Sequence, residues 1–198
     1  MKKKAKTNHP IHEILEKRWS PRAFNGKKIE KEKLQRMFEA ARWSPSASNE
    51  QPWSFIVGEM GDGTYKKIFE TLVEFNQLWV KTAPVAAISV GRIKSLKSGK
   101  ANDWSRYDVG QSLAHLSFQA THEGLYVHQM AGFDREKARL IFDIPVDYEA
   151  ISAFAIGDIG DYKILHPNLQ KMEVEERDRK NIDEFVFSNK FGEKSGLI

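Results

Sequence analysis

The chain contains no cysteine. That absence removes disulfides, thiolate metal sites, iron–sulfur clusters and cysteine nucleophiles together, and it fits the reducing cytoplasm. Long hydrophobic runs are also missing. The longest clean apolar stretch, Val85-Ala86-Ala87-Ile88, is far short of the ~20 residues that cross a bilayer. Met1-Lys2-Lys3-Lys4 has the basic character of a secretory leader, but no apolar stretch follows it, so secretion is not expected. The usual phosphate cradles are absent. No Gly-x-Gly-x-x-Gly follows a strand-like run, there is no P-loop, and Gly157-Asp158-Ile159-Gly160 lacks the third glycine. There is no Gly-x-Ser-x-Gly nucleophile elbow. The six histidines form no metal pattern: His9 and His12 lie in an N-terminal arm, and His115 and His122 share a helix seven residues apart. His128 sits alone in a strand-like run and reads as a satisfied core residue. No carboxylate pair stands out for acid–base chemistry.

What remains is ample for one domain. The 198 residues, 40% hydrophobic and 29% charged, suffice for a sizeable core. The formal charge of +4 is a mild excess. Its basic segments lack the interleaved aromatics of a single-strand binding platform, so neither nucleic acid nor membrane is an expected partner. A modest positive field suits an anionic small molecule equally well.

Helical and strand-like patterns alternate along the chain. Residues 1–8 read as a flexible arm. Ile11, Ile14 and Leu15 give a short helical face after Pro10. Glu30 to Arg42 is the clearest helix, with Leu34, Met37, Phe38 and Ala41 on one face. Pro45 ends it, and a loop of small residues follows, leading into a strand opened by Pro52. Gly61-Asp62-Gly63 is a turn, and residues 65–73 read as a third helix, with 75–79 following. Pro84 to Val90 is a buried strand. Gly91 to Ser105 is polar, basic and without periodicity, the character of a lid. A fourth helix spans about Arg106 to His122, stopped by Gly124. Leu125 to Met130 reads as a strand, Asp134 as the cap of a fifth helix, and Ala150 to Gly157 as a last strand. From Asp158 onward the pattern weakens. Taken alone, this alternation predicts a doubly wound parallel sheet.

Two segments carry the candidate chemistry. Arg18-Trp19-Ser20-Pro21-Arg22 puts two arginine forks and a hydroxyl within five residues, groups that grip a phosphate. In Ser44-Pro45-Ser46-Ala47-Ser48-Asn49, short side chains let the backbone approach a flat ligand.

Read together, these segments resemble the nitroreductase family of FMN-dependent oxidoreductases. Arg18-Trp19-Ser20-Pro21-Arg22-Ala23-Phe24 is similar to the family's Arg-x-Ser-x-Arg-x-Phe segment. Ser44 to Trp53 is similar to its Ala-Pro-Ser-x-x-Asn-x-Gln-Pro-Trp segment. Asp108-Val109-Gly110, Gly124-Leu125, Gly132-Phe133-Asp134 and Arg179-Lys180 follow in the family's order. The resemblance implies one α+β domain over 1–198, with a mainly antiparallel central sheet flanked by helices. It replaces the parallel sheet. It also implies an intertwined homodimer in which residues 163–198 form an extension embracing the partner.

By the same resemblance, Arg18, Trp19, Ser20 and Arg22 hold the phosphate, ribityl chain and pyrimidine side of FMN, with Arg177 and Arg179 reaching the phosphate. Pro45, Ser46, Ala47, Ser48 and Asn49 come from the other subunit. Asn76 contacts the flavin, and the backbone of Ala131 and Gly132 donates to flavin N5. Trp79 stands where some relatives have a flavin-contacting lysine, and Ala131 where some have a glutamate. The implied activity is ping-pong hydride transfer from NADH or NADPH, through flavin N5, to a nitroaromatic, quinone or similar small acceptor. No side chain acts as a catalytic acid, and no metal is involved. The alternatives are a same-family flavoenzyme performing reductive dehalogenation or flavin cleavage, and a non-catalytic flavin-binding protein.

Overall fold

The computed structural model describes residues 3–197. Met1 and Lys2 of the expected arm, and Ile198 of the expected extension, lie outside the described residues. The elements in order are α1 (Glu13–Lys17), α2 (Lys31–Arg42), β1 (Trp53–Glu59), α3 (Gly63–Thr71), α4 (Glu74–Val80), β2 (Val85–Arg92), α5 (Ser105–His122), β3 (Tyr126–Met130), α6 (Arg135–Ile141), β4 (Tyr148–Gly157) and α7 (Pro167–Val174).

The four strands form one sheet of order β1-β2-β4-β3, and every pairing is antiparallel. The parallel sheet suggested by alternation alone is therefore incorrect, and the α+β antiparallel arrangement is correct. The register supplies the reason. Glu59, at the end of β1, pairs with Val85, at the start of β2. The excursion through α3 and α4 thus begins and ends at the same end of two adjacent strands. It is a decorated hairpin rather than a crossover. The link from β3 to β4 through α6 does the same, since Met130 pairs with Ala153. A helix between two strands looks alike in sequence in either case.

Strand alternation splits the core between the two faces of the sheet. On one face Ala86, Ile88, Val90, Ala153 and Ala155 pack with residues of α3, α4, α6 and α7. On the other, Val85, Ala87, Phe154 and Ile156 pack with Met37 and Ala41 of α2 and Val109, Leu113 and Leu116 of α5. β2 is buried along its whole length because it has a strand on each side and helices on both faces.

Local chemistry sets most boundaries. Asp62 accepts from the Tyr65 amide at 2.6 Å and starts α3 inside the expected turn. Asp134 accepts from the Lys137 amide at 2.9 Å and caps α6 as anticipated. α3 and α4 are separate because Leu72 turns extended to bridge Phe133. The polar segment after β2 makes contacts of its own. Lys94 bridges Ala101, and the buried Arg92 pairs with Glu50 at 3.2 Å.

α7 is an element the sequence pattern did not reveal. Pro167 occupies its first turn, and Leu169 and Glu173 point into the body. Residues 163–177 therefore pack on their own chain. Beyond Arg177 the described residues are mostly exposed, with Phe191 and Leu197 more than nine-tenths accessible. The N-terminal segment lies against the body: the Ala5 amide donates to the Glu16 carbonyl at 2.9 Å, and Lys6 pairs with Glu176 at 2.6 Å.

Candidate functional site

The segment leaving α1 is fixed from four sides. Its carbonyls at Arg18 and Glu16 accept from Arg177 Nη1 and Nη2, at 2.6 and 2.8 Å. Its amides at Arg22 and Ala23 donate to one carboxylate oxygen of Glu173, at 2.8 and 3.1 Å. The Pro21 carbonyl lies 2.9 Å from His128 Nδ1. Phe24 then bridges Ile159, and the Gly160 amide donates to the Ala23 carbonyl at 2.8 Å. A side chain at Gly160 would meet the Phe24 carbonyl oxygen at 2.5 Å, so only glycine allows this approach. That explains a Gly157–Gly160 motif with no phosphate cradle: it anchors the arginine segment to the end of β4.

A cavity of about 330 Å³ opens beside this segment. Arg18, Trp19, Ser20 and Arg22 line it, with Arg177 and Arg179 from the segment after α7. Six of the expected site residues are thus brought together in one chain. Lys3 joins them, its ammonium 5.1 Å over the Trp19 ring. Glu175, Glu176 and Asp178 form part of the rim. Burial, and then the Arg177 and Arg179 charges, hold the Arg18 guanidinium below the ordinary arginine range. Burial and Arg179 do the same to Arg177. Burial leads the lowering of Lys3, with Arg177 and Arg22 adding to it and Glu173 opposing it. Crowded, partly desolvated cations of this kind are relieved by an anion. Trp19 Nε1, Arg22 Nε and Arg177 Nε are buried donors with no acceptor in the protein. Such donors are costly unless something accepts from them.

The other expected residues lie elsewhere in the same chain. Asn76, buried in α4, donates from Nδ2 to the Gly132 carbonyl at 2.8 Å. A side chain at Gly132 would strike Asn76 Nδ2 at 2.8 Å and Val73 Cγ2 at 2.9 Å. Asn76, Ala131 and Gly132 therefore form one tight corner, with Ala131 exposed beside it. Ser46 Oγ accepts from the Gln51 amide at 3.0 Å, and Asp108 accepts from the Ala47 amide at 3.1 Å. Lys97 donates to the Ser48 carbonyl. Burial pushes the Asp108 carboxyl up, only partly offset by that amide. Ser48, Asn49 and Gln51 all have positive φ, between 47° and 56°, a costly conformation outside glycine. None of Pro45, Ser46, Ala47, Ser48, Asn49, Asn76, Ala131 or Gly132 lines the arginine cavity of its own chain.

Trp79 is fully buried, stacked on Phe24 and 4.4 Å from the His128 ring. It is a core residue and has no exposed surface for a ligand. His128 is half-buried, its ring against Trp79 and its Nδ1 on the Pro21 carbonyl, a hydrogen-bonded structural position rather than a metal ligand. Its burial pushes the imidazole pKa down to about 4. Two residues escaped the sequence reading: Lys3, which lines the cavity, and Glu173, which holds the arginine segment through its backbone amides. Glu173 had a detectable signal: it lies four residues after Leu169, on the core-facing side of a helix begun by Pro167. Among the described residues no cluster of His, Asp or Glu could hold a metal ion, and no helix is long and apolar enough to cross a membrane.

In sequence and fold the chain is similar to known proteins. The Nitroreductase family model matches residues 15–158. A crystal structure of an oxidoreductase described as containing FMN superposes with a TM-score of 0.90 at 32% identity, over 96% of both chains. The major NAD(P)H-flavin oxidoreductase of Aliivibrio fischeri is 38% identical over 119 residues, which is 58% of this chain and 51% of that protein. An uncharacterised 15.4 kDa protein of Mycolicibacterium smegmatis is 27% identical over 145 residues, 70% of this chain and 97% of its own length.

Proposed function

The chain belongs to the nitroreductase family, and from that premise we propose that it is an FMN-dependent oxidoreductase. It takes hydride from NADH or NADPH and passes electrons, in a ping-pong cycle, to a nitroaromatic, quinone or similar small acceptor. The observation that carries this reading is the arginine cavity. Its excess of cations over carboxylates and its three orphaned buried donors fit a phosphorylated, hydrogen-bonding ring system. The likeness to an FMN-containing oxidoreductase supports the same ligand.

When bound, FMN supplies two-electron redox chemistry. The protein's residues bind and orient it. Arg18, Arg177 and Arg179 meet the phosphate, with Lys3 at the edge of the same cavity. Trp19 and Ser20 line the path toward the ring. Arg22 presents positive charge, which stabilises the reduced, negatively charged cofactor. Asn76 holds the Gly132 carbonyl and so fixes the backbone of Ala131 and Gly132, which would donate to flavin N5. Pro45 to Asn49 exclude water from the opposite side.

That last role requires a second copy. None of Pro45 to Asn49 lines the cavity of its own chain, which supports a homodimer with each site shared between subunits; the lack of cysteine fits a cytoplasmic location. The exposed apolar tail beyond Arg177 is available to lie along the partner.

Purified protein is expected to be yellow and to release FMN on denaturation. It should oxidise NADH or NADPH only with a quinone or nitroaromatic present, giving parallel lines in double-reciprocal plots. Colourless protein that ignores added FMN would refute the assignment.

A further inference from the structure

Glu173 is an expensive residue to keep where it is. It lies on α7 with 1% of its surface exposed. Oε1 is fully used, accepting from the Arg22 amide at 2.8 Å and the Ala23 amide at 3.1 Å. Oε2 is buried and has no hydrogen-bond donor. Its cationic neighbour is Arg22 Nη1, at 3.8 Å. That distance is too long for a hydrogen bond but short for two charges shielded from water. Lys3 approaches the same residue from the cavity side, donating to the Glu173 backbone carbonyl at 2.8 Å. An apolar side chain here would pack with Leu165 and Leu169 and avoid the cost of burying a charge. Helix packing therefore does not account for the carboxylate.

We propose that Glu173 is a positioning residue of the arginine cavity, with two separable roles. Through Oε1 it fixes the backbone from which Arg22 projects. Through Oε2 it offsets part of the Arg22 charge and so limits how strongly the cavity favours an anionic, electron-rich occupant. The geometry stands on this chain alone. Only the identity of the occupant rests on the FMN reading above.

Two variants of the full-length protein separate the roles. Glu173→Gln keeps an acceptor for both amides and removes the charge. Glu173→Ala removes both. Each is titrated with inorganic phosphate and with FMN, and the FMN-loaded forms are equilibrated against a reference dye of known potential. Glu173→Gln should bind phosphate about fivefold to tenfold more tightly than wild type. It should also shift the flavin–dye equilibrium about tenfold toward reduced flavin, about 30 mV for a two-electron couple. Glu173→Ala should bind both ligands more weakly than wild type. The proposal is overturned if Glu173→Gln matches wild type in phosphate affinity and potential, or if it loses affinity as Glu173→Ala does. A wild type that binds phosphate but not FMN would refute the cofactor reading instead, and the phosphate comparison would still decide the role of Glu173.

Discussion

Replacing Arg22 with alanine should injure the protein in two ways that can be measured separately. The Arg22 side chain is 19% exposed, and its Nε is a buried donor with no acceptor in the protein. A charge-assisted contact from such a group to a ligand is worth about 1.5–3 kcal/mol, or about 10- to 100-fold in FMN affinity. Removing Arg22 also leaves Glu173 Oε2 buried without the cation 3.8 Å away. An uncompensated buried carboxylate costs about 3 kcal/mol of folding stability, which lowers the melting temperature of a chain this size by about 6–12 °C. Fluorescence titration with FMN reads the first effect, and denaturant unfolding of the flavin-free protein reads the second. The double variant Arg22→Ala/Glu173→Gln should recover most of the stability and little of the affinity. Unchanged FMN affinity in Arg22→Ala would refute the placement of Arg22 at the cofactor. Additive stability losses in the double variant would refute the coupling to Glu173.

Three more outcomes follow from other parts of the molecule. His128 has its pKa pushed down to about 4 by burial. The unfolded chain therefore binds the extra proton first, and stability should fall by about 3 kcal/mol as pH drops from about 6.5 to about 4; in His128→Phe that part of the pH dependence should vanish from urea titrations. Gly132→Ala should destabilise the protein by about 1–3 kcal/mol, because the new methyl meets Asn76 Nδ2 at 2.8 Å, and calorimetry should show it. Dilution to monomer should release FMN, followed by ultracentrifugation with flavin absorbance; monomers that keep their flavin would contradict the shared site.

The local elements were legible where a single segment carries its own signal. The α2 face, the Asp134 cap and the largely apolar β2 needed no tertiary information. Strand direction was not legible from the pattern, because Glu59 and Val85 are neighbours across a sheet and 26 positions apart in the chain. The antiparallel sheet was reached through motif resemblance instead. Among site residues, the Arg18–Arg22 cluster announced itself by composition, and resemblance joined it to Arg177 and Arg179. Glu173 was missed because its partners are backbone amides 150 residues away, which no side-chain pattern encodes. The end of α3 was placed too late for a similar reason, since Leu72 leaves the helix to pair with Phe133.

The most direct test mixes the purified, FMN-saturated protein with one equivalent of NADH or NADPH in the absence of oxygen and records the visible spectrum. The flavin band should bleach, and it should return when a quinone or nitroaromatic is added. A band that is absent after FMN saturation and gel filtration, or that neither nicotinamide bleaches, would contradict the account.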